Sequence, residues 1–194
     1  MSHQPAERYP KTIKLKDGSE VLVRLMQQED RDRLLEFFRG VAEEERIFLR
    51  EDMARPEAMD ARVRAMGRGR FFSLLAEAEE RIVGDATLQR RPTHWLQHVA
   101  EVHVVVDRGY RRVGLAHNLL YELFDLARDQ GIETLLAEMM SEQVAALSLF
   151  ERLGFKREAI FRQLVKDLRG MKHDLVIMAR DLTEERKRRP QWRW

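Results

Sequence analysis

The residues best suited to chemistry gather in one stretch, Glu101 to Arg128, EVHVVVDRGYRRVGLAHNLLYELFDLAR. In a strand, successive side chains point to opposite faces, so Glu101, His103 and Val105 share one side and Val102, Val104 and Val106 the other. A carboxylate and an imidazole on one face are groups that can take a proton from a substrate. They can equally be polar residues of a sheet face, paired with neighbours. Downstream, Arg111-Arg112-Val113-Gly114-Leu115-Ala116 brings two guanidinium groups and a glycine to the opening of a helix. The first N–H groups of a helix lack intrahelical partners and lie at the positive end of its dipole, so this loop suits a polyanion such as a pyrophosphate. Gly114 and the small Ala116 let a ligand approach the backbone closely. A glycine in a strand-to-helix turn also occurs for steric reasons alone.

Other chemistries are disfavoured. The loop is neither a Gly-Lys-Ser/Thr phosphate loop nor G-x-G-x-x-G. Cysteine is absent, which removes disulfides, a thiol nucleophile and a thiolate zinc site. His94 and His98 are four apart but have no carboxylate beside them and no helical stripe around them, so no metal is expected. The chain of 194 residues carries 35 basic and 33 acidic side chains, and a net charge of +2 puts no large positive field behind its basic pI. With no apolar run long enough to span a bilayer and no apolar leader, a cytoplasmic protein that neither enters a membrane nor depends on nucleic acid is expected.

The elements that must hold these residues follow from periodicity. Strands of a hairpin flank Asp17-Gly18. A helix is expected from Gln28 to Arg39, stopped by Gly40, with a second charged helix over Glu43 to Leu49 and a third starting near Pro56. Strands return over 71–76 and 81–88 around Glu79-Glu80. After the central strand, Ala116, Leu119, Leu120, Leu123 and Ala127 form one helical stripe. A strand at 134–140 leads to a helix over Gln143–Leu153, with Ala146, Leu149, Phe150 and Leu153 on one face and Gly154 as its left-handed cap. Strands around 159–165 and 173–179 close the chain. This order makes an α/β (α+β) fold, parallel in the middle and antiparallel outside. Its domain spans residues 12–182, between a flexible leader (1–11) and a basic, tryptophan-containing tail (183–194).

Arg111-x-x-Gly114-x-Ala116, preceded by Val106-Asp107-Arg108-Gly109-Tyr110, resembles the acyl-CoA pyrophosphate loop of the GNAT superfamily of acyl-CoA N-acyltransferases. A second signature of that family, Asn-x-x-Ala-x-x-Leu-Tyr-x-x-x-Gly-Phe, is matched by Gln143 to Phe155 at Ala146, Leu149, Gly154 and Phe155, with Gln143 and Phe150 as departures. The resemblance covers roughly residues 12–182. It implies a mixed, mostly antiparallel sheet flanked by helices, with two central parallel strands splayed apart to admit the acyl-pantetheine arm. It further implies acetyl-CoA as co-substrate, with Arg111, Arg112, Val113, Gly114, Leu115 and Ala116 at the pyrophosphate, Gln143 and Phe150 beside the arm, and backbone N–H groups from Val104 to Val106 facing the reacting carbonyl. Homodimers are common in the family.

Transfer from a thioester to an amine needs the amine neutral, whereas a lysine-like amine, with an ordinary pKa of about 10.4, is almost wholly protonated at neutral pH. Glu101 or His103 is the expected base. Where the family often places a tyrosine to protonate the departing thiolate, Phe150 cannot donate; Ser148, Tyr121 or water remains for that task. A non-catalytic acyl-CoA-binding module is therefore the alternative. The amine acceptor is not named by the sequence, although Glu43, Glu44, Glu45, Glu51 and Asp52 suit a cation and Arg46, Arg50 and Arg55 a carboxylate.

Overall fold

The computed structural model describes residues 8–183 apart from 47, 50, 67–69, 92 and 168, and apart from the side chain of Glu44. Residues 1–7 of the expected leader and 184–194 of the tail lie outside the described residues, as does Arg50. Among the described residues sixteen segments follow in order. They include strands β1 (Lys11–Lys14), β2 (Glu20–Leu25), β3 (Phe71–Ala78), β4 (Arg81–Arg90), β5 (Val99–Val106), β6 (Thr134–Met140), β7 (Lys156–Lys166) and β8 (Lys172–Asp181). The α-helices are α1 (Arg31–Gly40), α2 (Glu43–Arg46), α3 (Pro56–Met66), α4 (Leu115–Asp129) and α5 (Val144–Arg152), and three short 3-10 turns complete the set.

All eight strands form one sheet, ordered β1-β2-β3-β4-β5-β6-β8-β7. Among the described residues only β5 and β6 run parallel. Their pairing covers Val99 with Thr134, Ala100 with Leu135 and Glu101 with Leu136, then stops, although β5 continues to Val106 and β6 to Met140. The expected splay is therefore present, and it opens immediately after Glu101.

Each sheet face has its own core. On one face α4 lays Leu115, Leu119, Leu120, Leu123 and Phe124 on Val102, Val106, Ala86 and Leu88, and α5 adds Leu147 and Phe150. On the other, Leu34, Leu35, Phe37 and Phe38 of α1 and Met59 of α3 cover Leu75 and Ile82. Gly84 lets α4 press against β4, because a Cβ there would stand 3.0 Å from Leu119 Cδ1. Among the described residues no helix is long and apolar enough to cross a membrane.

Local departures from expectation have identifiable causes. The first helix is preceded by a 3-10 turn at Gln28–Asp30, since buried Asp30 accepts the Gln27 N–H at 2.8 Å and two bonds from Arg24. That helix also runs through Gly40. The second helix ends at Arg46, short of Leu49. β7 is longer than its apolar run, because it is a mostly exposed, charged edge strand that pairs only with β8. Residues 8–11 of the expected leader are tied to α4: Arg8 pairs with Asp129 at 3.0 Å, the Tyr9 hydroxyl donates to Glu122 at 3.1 Å, and Lys11 begins β1.

Leu119 is fully buried between α4 and Gly84. Leu119→Ala should cost about 2–5 kcal/mol through lost transfer energy and a residual cavity. Urea unfolding should show a lower midpoint with an unchanged slope; an unmoved midpoint would contradict this packing.

Candidate active site

The gap between β5 and β6 organises the site. Val99 O accepts from Arg91 N, and Asp107 N donates to Val83 O, so odd-numbered residues of β5 turn their backbone groups toward β4. By the alternation of an antiparallel ladder, the N–H groups of Val102, Val104 and Val106 point the other way, toward the gap. Beyond Glu101 no β6 rung meets them. The expected donors at Val104 and Val106 thus point away from β4 with no β6 rung opposite them, and Val104 lines the cavity described next.

Through this gap runs a cavity of about 670 Å³. Its lining includes Ala146, Leu149 and Phe150 of α5 together with Glu101, His103 and Val105 on the far face. The cavity therefore joins the two sides of the sheet. Gln143 and Phe150 both border it. Gln143, at the start of α5, spends its side-chain oxygen on Met140 N at 2.9 Å, which fixes the turn from β6. Phe150 stacks edge-on against Phe155 at 4.9 Å. Neither Ser148 nor Tyr121 lines the cavity. Ser148 accepts from Arg152 at 2.8 Å, and half-exposed Tyr121 packs on His117 and Phe124.

At the other end of the gap lies the glycine loop. Gly114 caps α4 with φ +95°, a conformation that favours glycine, and Leu115 and Ala116 form the first turn behind it. Arg112 also takes a positive φ, 62°. Arg111 is turned inward: its Nε donates to Val106 O at 3.2 Å, and its two terminal nitrogens hold Glu45 at 2.8 and 2.5 Å. Arg108 reaches the same carboxylate at 3.1 Å. Hydrogen bonding from Arg111, then Arg108, holds the Glu45 carboxyl down to about 2. Arg111 thus braces the loop.

Lys16 supplies a cation that no sequence motif announces. Its backbone N–H donates to Val113 O at 3.0 Å, and its side chain passes Gly114, 3.5 Å from where a Cβ would stand. His117, in the first turn of α4, has its pKa lowered by burial and then by the charges of Lys16 and Arg152. Lys16, Arg152 and the α4 N-terminus thus make one electropositive corner, suited to an anion.

On the far face of the sheet, Glu101 is almost wholly buried and ion-paired with Arg91, which also reaches Glu138 at 3.1 Å. His103 Nε2 stands 4.0 Å from the other Glu101 oxygen and is partly exposed. The next rungs carry a buried cluster, Arg62, Ser73 and Asp85, also invisible to sequence reading because α3, β3 and β4 contribute one residue each. Of the charges expected to meet an acceptor, Asp52 is engaged by Arg46 at 3.8 Å and Arg55 at 3.3 Å, while Glu51 borders the cavity. Among the described residues no group of acidic, histidine or cysteine side chains could hold a metal ion.

Known proteins are similar to this chain in sequence and in fold. A ribosomal protein bS18-alanine N-acetyltransferase from Escherichia coli K12 is 36% identical over 77 residues, which is 40% of this chain and 51% of that protein. The chain thus spans about half the length of this curated relative. The crystal structure of a ribosomal-protein-alanine N-acetyltransferase from Brucella melitensis superposes with a TM-score of 0.73 at 26% identity, covering 82% of this chain and 99% of that one. A Salmonella typhimurium structure containing its cofactor acetyl-CoA gives a TM-score of 0.74 at 23% identity, over 84% and 95% of the two chains, and shares the fold. A model of the acetyltransferase (GNAT) family matches residues 31–155, a stretch that takes in the splayed strand, the glycine loop and α5, and the chain belongs to that family.

Proposed function

We propose that the protein transfers an acetyl group from acetyl-CoA to a primary amine by direct attack, in the cytoplasm. The observation that carries this reading is the cavity joining the two faces of the sheet. One face offers an apolar wall for a pantetheine arm, and the other offers a carboxylate and an imidazole where an amine can arrive. The curated relative acts on an amine of a ribosomal protein, and the Salmonella neighbour holds acetyl-CoA, which supports the same pair of substrates here.

In this reading the pyrophosphate rests on the N-terminus of α4, with Lys16 and Arg112 beside it. The arm follows the gap past Ala146 and Leu149. The thioester oxygen meets the N–H groups of Val104 or Val106, which are not committed to β6 and so need no rearrangement as negative charge develops. The amine nitrogen attacks the thioester carbon, the carbon–sulfur bond breaks, and the electron pair leaves on sulfur.

The amine must lose a proton, and His103 is the better placed of the two candidate bases. Glu101 is buried behind Arg91, whereas His103 is partly exposed to the cavity and has Glu101 at its back. Histidine is the side chain suited to exchange a proton near neutral pH. His103 takes the proton directly or through water, and Glu101 stabilises the resulting imidazolium. With phenylalanine at position 150 and neither Ser148 nor Tyr121 at the cavity, the thiolate is protonated by water.

Two outcomes check this reading. Gly114→Glu puts a carboxylate where phosphate would sit and should abolish acetyl-CoA binding in calorimetry, with secondary structure by circular dichroism retained. Normal affinity would remove the cradle. His103→Gln should lower kcat by about 10²–10⁴-fold, flatten the acid limb of the pH–rate profile and leave acetyl-CoA affinity unchanged, read as thiol release with a panel of amines. Undiminished turnover would exclude His103 as the base, and acetyl-CoA binding without thiol release in the wild type would leave a non-catalytic module.

A further inference from the structure

Two buried charges at the cavity are unused by this mechanism. Asp85 is 3% exposed and Arg62 8%, yet both line the cavity. Arg62 Nη2 donates to Asp85 Oδ1 at 2.5 Å and to Ser73 Oγ at 3.0 Å, while Ser73 Oγ donates to the same Oδ1 at 2.7 Å. The guanidinium stands over the rings of Phe71 at 5.1 Å and Phe38 at 5.7 Å, and its Nε is buried without a partner. The cluster is thus fixed from behind, with both bonds to the carboxylate falling on one oxygen. Asp85 Oδ2 has no partner among the described residues.

Taking an ion pair out of water is costly, and the Asp85 oxygen left without a protein donor opens on the cavity. A ligand that brings the donor offsets that cost. Register places that ligand beside the chemistry: Asp85 lies opposite Val105 and Thr87 opposite His103, so Asp85 and His103 share a face as diagonal neighbours. Such neighbours lie roughly 7–8 Å apart, a distance that one bound amine can bridge. Around them Phe38, Leu49, Met53 and Phe71 give the cavity an apolar wall.

Resting on the acetyltransferase reading, we propose that Asp85 receives the acceptor as an ammonium ion: the substrate is a primary amine on an apolar body, which binds in its charged form to Oδ2 before His103 takes the proton. Arg62 and Ser73 are positioning residues that hold the carboxylate toward the cavity. A charge-assisted hydrogen bond to a desolvated carboxylate is stronger than its neutral counterpart. Selectivity for a cationic donor over a neutral isostere follows.

The test uses butylguanidinium, a cationic donor that does not accept an acetyl group under these conditions, and butylurea, its neutral isostere, titrated calorimetrically into the CoA-loaded protein. Butylguanidinium should bind at least about tenfold more tightly. Asp85→Asn should bring the ratio near one without changing CoA affinity. Because that variant leaves Arg62 without its counter-charge, the pair Arg62→Gln with Asp85→Asn is measured beside it; this variant strands no charge and should lose the preference too. Equal binding of the probes to the wild type, or a preference that survives in either variant able to bind CoA, would overturn the assignment. Thiol release with amines, alongside no guanidinium preference, would remove Asp85 but leave acetyl transfer standing. Failure of the wild type to bind CoA would remove both.

Discussion

The parallel pairing of β5 with β6 ends after three rungs, and the rest of the molecule is arranged to tolerate and use that ending. Unpaired backbone N–H groups inside a protein are costly, so a sheet does not open at its centre without support. Here each splayed strand is secured on its other side, β5 to β4 and β6 to β8 by seven rungs each. Helix α4 presses on β3, β4 and β5 from one face, with Leu119, Leu120 and Leu123 fully buried. The opening is therefore a stable feature of a well-packed sheet. It leaves donors aimed at one place and makes a passage from one face of the sheet to the other.

Charge is distributed unequally along that passage. At the glycine loop cations accumulate: burial first, and then the charges of Lys16 and Arg152, lower the His117 pKa. On the acceptor side every cation discussed has an acidic companion, Arg62 with Asp85 and Arg91 with Glu101 and Glu138. Glu45 links the two regions, since it rises from α2 to hold Arg108 and Arg111 of the loop. Placement of the helices above the acceptor and the shape of the phosphate loop are thus tied by one carboxylate.

What the sequence reveals and what it hides follow from range. Period-two and period-3.6 patterns are local, so the central strand, α4 and α5 are legible within a few residues, and Gly114 is legible because a left-handed turn before a helix selects glycine. The expectation that Val104 and Val106 face the gap came from family resemblance, and the ladder alternation supplies its physical reason. Long-range partners leave no local trace. Lys16 reaches Gly114 from the first hairpin, Glu45 reaches Arg111 from α2, and Arg62 meets Asp85 across α3 and β4. Two arginines beside a glycine suggest two phosphate ligands, and nothing local announces that one of them, Arg111, also holds Glu45 and Val106 O. The bounds of α2 and β7 differ from expectation because tertiary contacts, rather than periodicity, end the first at Arg46 and extend the second over Lys156–Lys166.

The central claim is that the Val104 and Val106 amides are held open for the acyl arm, and backbone amide exchange reads it most directly. In the free protein these two amides should exchange faster than those of Glu101, His103 and Val105, which are bonded to β4, and saturating acetyl-CoA should slow them selectively. Slow exchange of Val104 and Val106 in the free protein, or exchange unchanged by acetyl-CoA that is demonstrably bound, would mean that the gap is not the path of the arm.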